Sequence, residues 1–70
     1  MKIQIKLDYL DKIYLSKEQE CEQNDVDQAK DLIKKIAEGK ITYLSIENKT
    51  EEYFFTKQIL EKSIITVIVT

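Results

Sequence analysis

The side chains able to do chemistry in this chain are one thiol, thirteen carboxylates and eleven lysines. Cys21 is the sole cysteine, and histidine is absent. A nucleophilic thiolate needs an adjacent base or positive surroundings. Cys21 sits instead between Glu20 and Glu22, which oppose the thiolate. One cysteine without histidine also excludes a structural zinc site and an intrachain disulfide. The carboxylates crowd residues 17–31. There Glu18, Glu20, Glu22, Asp25, Asp27 and Asp31 stand against Lys17 and Lys30, a net of −4. A hydrolytic carboxylate pair needs a shaped cleft and a fixed separation, which so short a chain can hardly build alone. A calcium loop needs a glycine and spaced oxygen ligands, and this segment lacks them. Its plain reading is a solvated strand end followed by an acidic helix N-terminus. Such an acidic edge also suits docking on a basic groove of another protein. No catalytic residue, cofactor or metal ligand is assigned, and the chain reads as non-enzymatic.

The basic residues are all lysine, the net charge is −2 and the pI is about 5.1. Nucleic-acid readers carry a basic footprint and use arginine forks on bases and phosphates. Duplex recognition is therefore excluded as an expectation. A nucleotide ligand is the best small-molecule idea. Tyrosine rings could stack a base while Lys40, Lys57 or Lys62 meets phosphate. Gly39, the only glycine, closes a helix rather than opening one, so no glycine-rich loop supports that idea.

Positioning falls to a small set of elements. Residues 2–7 alternate strictly, with Ile3, Ile5 and Leu7 on one face and Lys2, Gln4 and Lys6 on the other. Residues 8–12 read as a turn. A second strand follows, with Ile13 and Leu15 expected inward and Tyr14 outward. Residues 18–24 extend that strand or form a loop. A helix is predicted over residues 25–38. Asn24 or Asp25 caps it, and Val26, Ala29, Ile33 and Ile36 fall at helical spacing. Early aspartates and late lysines suit its dipole, and Gly39 suits its termination. Strands are predicted at 41–47 and 52–56, joined by a turn around Asn48. Residues 57–63 read as a helical turn tucking in Ile59 and Leu60. Residues 64–69 form the closing strand, which is apolar on both faces and expected at the centre of the sheet beside the first strand. The expected fold is α+β: one domain over residues 1–70, a single helix packed on a mostly antiparallel sheet in the order ββαβββ.

One helix covers one face of a sheet. With Leu44, Ile46 and Phe54 placed toward the helix, the other face would carry Tyr14, Tyr43, Tyr53, Phe55, Ile64 and Ile68. Contiguous apolar and aromatic surface of this kind marks interaction sites. So small a core commonly needs a disulfide, a metal or an oligomer interface. Only the last is open to this chain, so a homo-oligomer is expected, with a host protein as a further partner. The chain leads from Met1 straight into alternation and has no apolar run near the roughly 20 residues of a membrane helix. A cytoplasmic, membrane-free protein with a reduced thiol is expected.

Heavy use of Lys, Ile and Glu without Arg, Trp, Pro or His gives the chain a definite character. So does the strand-strand-helix-strand run that ends in Lys57-Gln58-Ile59-Leu60-Glu61-Lys62-Ser63-Ile64-Ile65. In both it resembles the short accessory proteins of bacteriophages and mobile elements of low-GC bacteria. The resemblance spans the whole chain and is one of composition. It implies a structural or regulatory phage subunit, or an antagonist of host defence that binds an effector or sequesters its nucleotide signal. It implies no functional residues.

Overall fold

The computed structural model describes residues 1–70. The fold is α+β, and its main elements follow the expected order ββαβββ. Strand β1 (Lys2–Tyr9) is the organising element. Strand β2 (Lys12–Leu15) returns antiparallel along its C-terminal half. The two-residue β3 (Gln19–Glu20) pairs with its N-terminal end, so residues 18–24 contain both a strand extension and a loop. β2 and β3 are one edge interrupted by a bulge. Between the pairs Lys6↔Leu15 and Ile3↔Gln19, β1 advances three residues and the facing strand four. Ser16 manages the break. Its N–H donates to the Ile5 carbonyl, and its hydroxyl accepts the Ile5 N–H, both at 2.9 Å. The Ser16 carbonyl, turned away, accepts from the Gln4 side-chain amide.

Helix α1 (Gln23–Ala37) starts two residues earlier than its composition suggests. The cap is Glu22, because the Asp25 carboxylate turns back to accept the Glu22 N–H at 2.9 Å. At the other end Glu38 is the C-cap and Gly39 adopts φ +76°. The Gly39 and Lys40 amides donate to the carbonyls of Ile36 and Lys35, closing the helix with a Schellman motif. Strands β4 (Tyr43–Glu47) and β5 (Glu52–Thr56) form a hairpin turned by Asn48, whose carboxamide oxygen accepts the Thr50 and Glu51 amides. The short helix α2 (Lys57–Glu61) packs on this hairpin through buried Leu60. Strand β6 (Ile64–Val69) closes the chain against β1.

The core is thin. Six residues are buried: Leu7, Val26, Ile36, Ile46, Phe55 and Leu60. All but Val26 form one cluster, with Leu7 fully enclosed at its centre. Fully burying such a side chain contributes roughly 1.5–3 kcal/mol, so six leave little margin against chain entropy.

Three expectations are corrected by strand register. β6 does lie beside β1, but at the edge of the sheet and not in its centre, since β1 is its only partner. Tyr14 points into the core, and Ile13 and Leu15 point out. The two-residue turn Leu10–Asp11 fixes Tyr9↔Lys12, which sets Tyr14 opposite Leu7. Phe55 is likewise buried and Phe54 exposed, because the Asn48 turn sets Phe55 opposite Leu44.

Leu10 holds φ +49°, the only positive value outside glycine, and is 73% exposed. A left-handed backbone costs a β-carbon-bearing residue about 1–2 kcal/mol. Glycine relieves that cost but loses about 0.5–1 kcal/mol of unfolded-state entropy. Leu10→Gly is therefore expected to raise the urea midpoint, by up to about 1 kcal/mol in stability. An unchanged or lower midpoint would show that the exposed leucine makes contacts worth more than the strain.

Candidate protein interaction surface

Register separates the six residues expected on one face. Tyr14, Tyr53 and Phe55 converge on the core side. Tyr14 meets Tyr53 edge-on with ring centroids 4.9 Å apart, and Phe55 at 5.2 Å. These rings join the hairpin to the main sheet and are not a docking patch. Tyr43 lies on the outer face of the hairpin, stacked on Phe54 at 5.9 Å. Ile64 and Ile68 alone lie on the outer face of the main sheet. Their expected company of aromatic rings is replaced by aliphatic side chains. Ile64 and Ile13 flank Asp8 from opposite sides, 69% and 60% exposed. Leu15 lies beside Lys6 in the next row. Ile68 is half-buried beside Gln4.

The outer face is thus striped. A polar row of Lys2, Gln4, Lys6 and Asp8 runs down β1, with Lys6 and Asp8 paired at 3.8 Å. Aliphatic side chains line both sides of it. Neither helix covers this face, because α1 packs against the core side of β6 and α2 against the hairpin. The outward Ile13 and Leu15 of β2 are the reverse of the expected placement. The signal that would have found them was the turn length, which fixes parity.

The backbone of β6 is the second component. Lys2 and Thr70 exchange both N–H···O bonds, at 2.8 and 3.0 Å. Antiparallel pairs alternate, so Ile68, Thr66 and Ile64 also bond inward to β1. Ile65, Val67 and Val69 turn their N–H and C=O groups away from the sheet. No strand pairs with them. Nothing blunts this edge either: residues 64–69 hold no charge, proline or glycine. Natural sheets protect such edges with lysines, prolines or bulges. The opposite edge has them, in the bulge at Ser16 and in Lys12, Lys17, Glu18 and Glu20.

Groups weighed for chemistry lie apart. Cys21 is half-buried and free. Lys57 pairs with Glu61 and Lys40 with Glu38, at 3.9 and 3.8 Å, so carboxylates compete for the lysines offered to phosphate. No helix is long and apolar enough to cross a membrane.

The titration of Tyr53 is shifted. Its phenol donates to the Glu51 carboxylate at 2.8 Å, and burial and the Glu51 charge add to the effect, so its pKa lies above the ordinary 10.0. The folded state therefore holds the proton more tightly than the unfolded chain. That contribution is complete below the ordinary value and disappears as pH rises through the raised one. Tyrosinate absorbance should show Tyr53 titrating above the ordinary value, and Glu51→Gln should bring it back toward that value. A late tyrosine that persists in Glu51→Gln would place the cause elsewhere.

Neither protein-family models, nor curated proteins, nor solved structures give a match to this chain.

Proposed function

We propose that this chain is a non-catalytic interaction module that acts as a homodimer through stoichiometric binding. The observation that supports it is the bare edge of β6, with unpaired backbone groups at Ile65, Val67 and Val69 and no protective charge. A two-fold axis at Val67 sets Ile65 of one copy opposite Val69 of the other. It closes every outward backbone group of both strands. Antiparallel pairing of identical strands is self-complementary, as a two-fold interface must be. The outer-face aliphatics of β6 become part of one continuous surface across the dimer. The resemblance to phage accessory proteins gives the module a setting, the stoichiometric antagonism of a host protein in the cytoplasm.

Light scattering on a sizing column tests the proposal. The expected mass is twice the 8.3 kDa of the chain. A monomer persisting at high concentration would overturn self-association. A thermal shift with nucleotides would favour the signal-sequestering alternative.

A further inference from the structure

A separate feature lies on the core side. α1 and the β4 hairpin do not meet along their whole length. Between them is an open cleft of about 510 Å³. Its apolar walls come from Ile3 and Ile5 of β1, Ala29 and Leu32 of α1, and Leu44 and Ile46 of β4.

One wall of this cleft is a free strand edge. The Glu47 carbonyl accepts the Lys17 N–H at 3.1 Å, so Glu47 turns its backbone away from β5 and toward the bulge. Backbone direction alternates along a strand. Ser45 therefore turns its N–H and C=O the same way, and it lines the cleft. No backbone bond outside the regular ladders uses Ser45. The Lys17 bond is the first rung of a ladder that stops there. Around the mouth stand Glu20, Asp25 and Glu47 against Lys17, 3.7 Å from Glu47, and the Met1 ammonium, 3.8 Å from Glu20, which leaves Asp25 without a cationic partner. The excess is negative.

We propose that this cleft takes an extended peptide segment of another protein, alternating apolar and basic residues, as a strand added to β4. The open Ser45 backbone supplies the ladder. Apolar side chains at every second position meet Ile5, Leu32 and Leu44, and the intervening lysines or arginines meet the acidic mouth. The mode needs no self-association, so it stands or falls apart from the β6 dimer.

A library of random short peptides displayed on phage, panned against the whole chain, tests it. Enriched peptides should alternate apolar residues with Lys or Arg, and amide shifts on binding should centre on Ser45, Leu32 and Ile5. Ser45→Pro removes the outward N–H without touching a rung to β5, a position where a strand tolerates proline. Ala29→Phe fills the cleft from the helix side and leaves the β4 backbone alone. Each should weaken binding at least about tenfold, as befits an unmet backbone pair or a blocked groove, with helix content retained. Failure to enrich any sequence would overturn the proposal, as would shifts centred on β6 or affinity unchanged in both variants. Concentration-dependent shifts at Ser45 without peptide would assign the cleft to a second copy and overturn it too.

Discussion

Under the proposed β6 pairing, Ile68→Lys should give a monomer that is still folded. Ile68 lies on the outer face, across the strand from the core-facing residues, so the substitution leaves Leu7 and its cluster untouched. In the two-fold pairing about Val67, position 68 of each copy stands opposite Thr66 of the other. The two lysines are then diagonal neighbours on one face, about 7–8 Å apart. Like charges at an interface cost several kcal/mol, and the two-fold axis repeats the lost contact between position 68 and Thr66 of the other copy. The dissociation constant should rise by about 100-fold or more, from roughly 3 kcal/mol of lost affinity. The measured mass should halve at concentrations where the parent is dimeric. Ile68→Val, which keeps β-branching and an apolar surface, should leave the dimer intact. If Ile68→Lys still runs as a dimer, the interface lies elsewhere, and the striped outer face around Ile13 and Leu15 becomes the next surface to test.

Phe55→Ala should be the most damaging single change to folding. Phe55 is 5% exposed, packs edge-on against Tyr14 and belongs to the cluster around Leu7. Truncating a buried phenylalanine costs about 3–5 kcal/mol. A chain of this length has only about 4–10 kcal/mol in total. The variant should lose most of its cooperative urea transition, and dimer formation with it, because β6 then has no sheet to belong to. Tyr43→Asp makes the contrast. Tyr43 lies on the exposed side of the same hairpin, stacked on Phe54, so its loss should cost only about 0.5–1.5 kcal/mol of stability. Equal damage from both variants would mean that the hairpin register differs from Leu44↔Phe55.

Much of this molecule can be read in its residue order, for identifiable reasons. Strict alternation in residues 2–7 leaves one face for the core, and Leu7 is indeed its centre. The helix announces itself by spacing, by dipole-matched charge and by Gly39. Parity in the shorter strands is harder. Ile13-Tyr14-Leu15 offers an apolar side chain to either face, and hydrophobicity favours the wrong one. Tyr53-Phe54-Phe55 has no alternation at all. In both places the decision belongs to a turn a few residues away, Leu10–Asp11 or Asn48, whose geometry fixes which residues stand opposite. The edge placement of β6 was hidden for a different reason. Apolar character on both faces describes what a strand needs as cover and not where the cover comes from. A central strand and an edge awaiting a second copy need the same residues.

The bulge beside Ser16 has a consequence for how this chain can tolerate insertions and deletions. Were the same residues paired in a regular ladder with no bulge, Ile3 would stand opposite Glu18, and Glu18 and Glu20 would both project to the core side. With it, Gln19 takes that place, Glu20 stands opposite Lys2 on the outside, and Cys21 turns inward. The bulge thus decides whether the acidic segment faces water or the interior. Lys17 and Glu18 are exposed, so substitutions at these two positions should be compatible with the fold. A single-residue deletion there would set three residues against three, removing the bulge while keeping Ile3 opposite Gln19, whereas a one-residue insertion would force the same site to hold two extra residues.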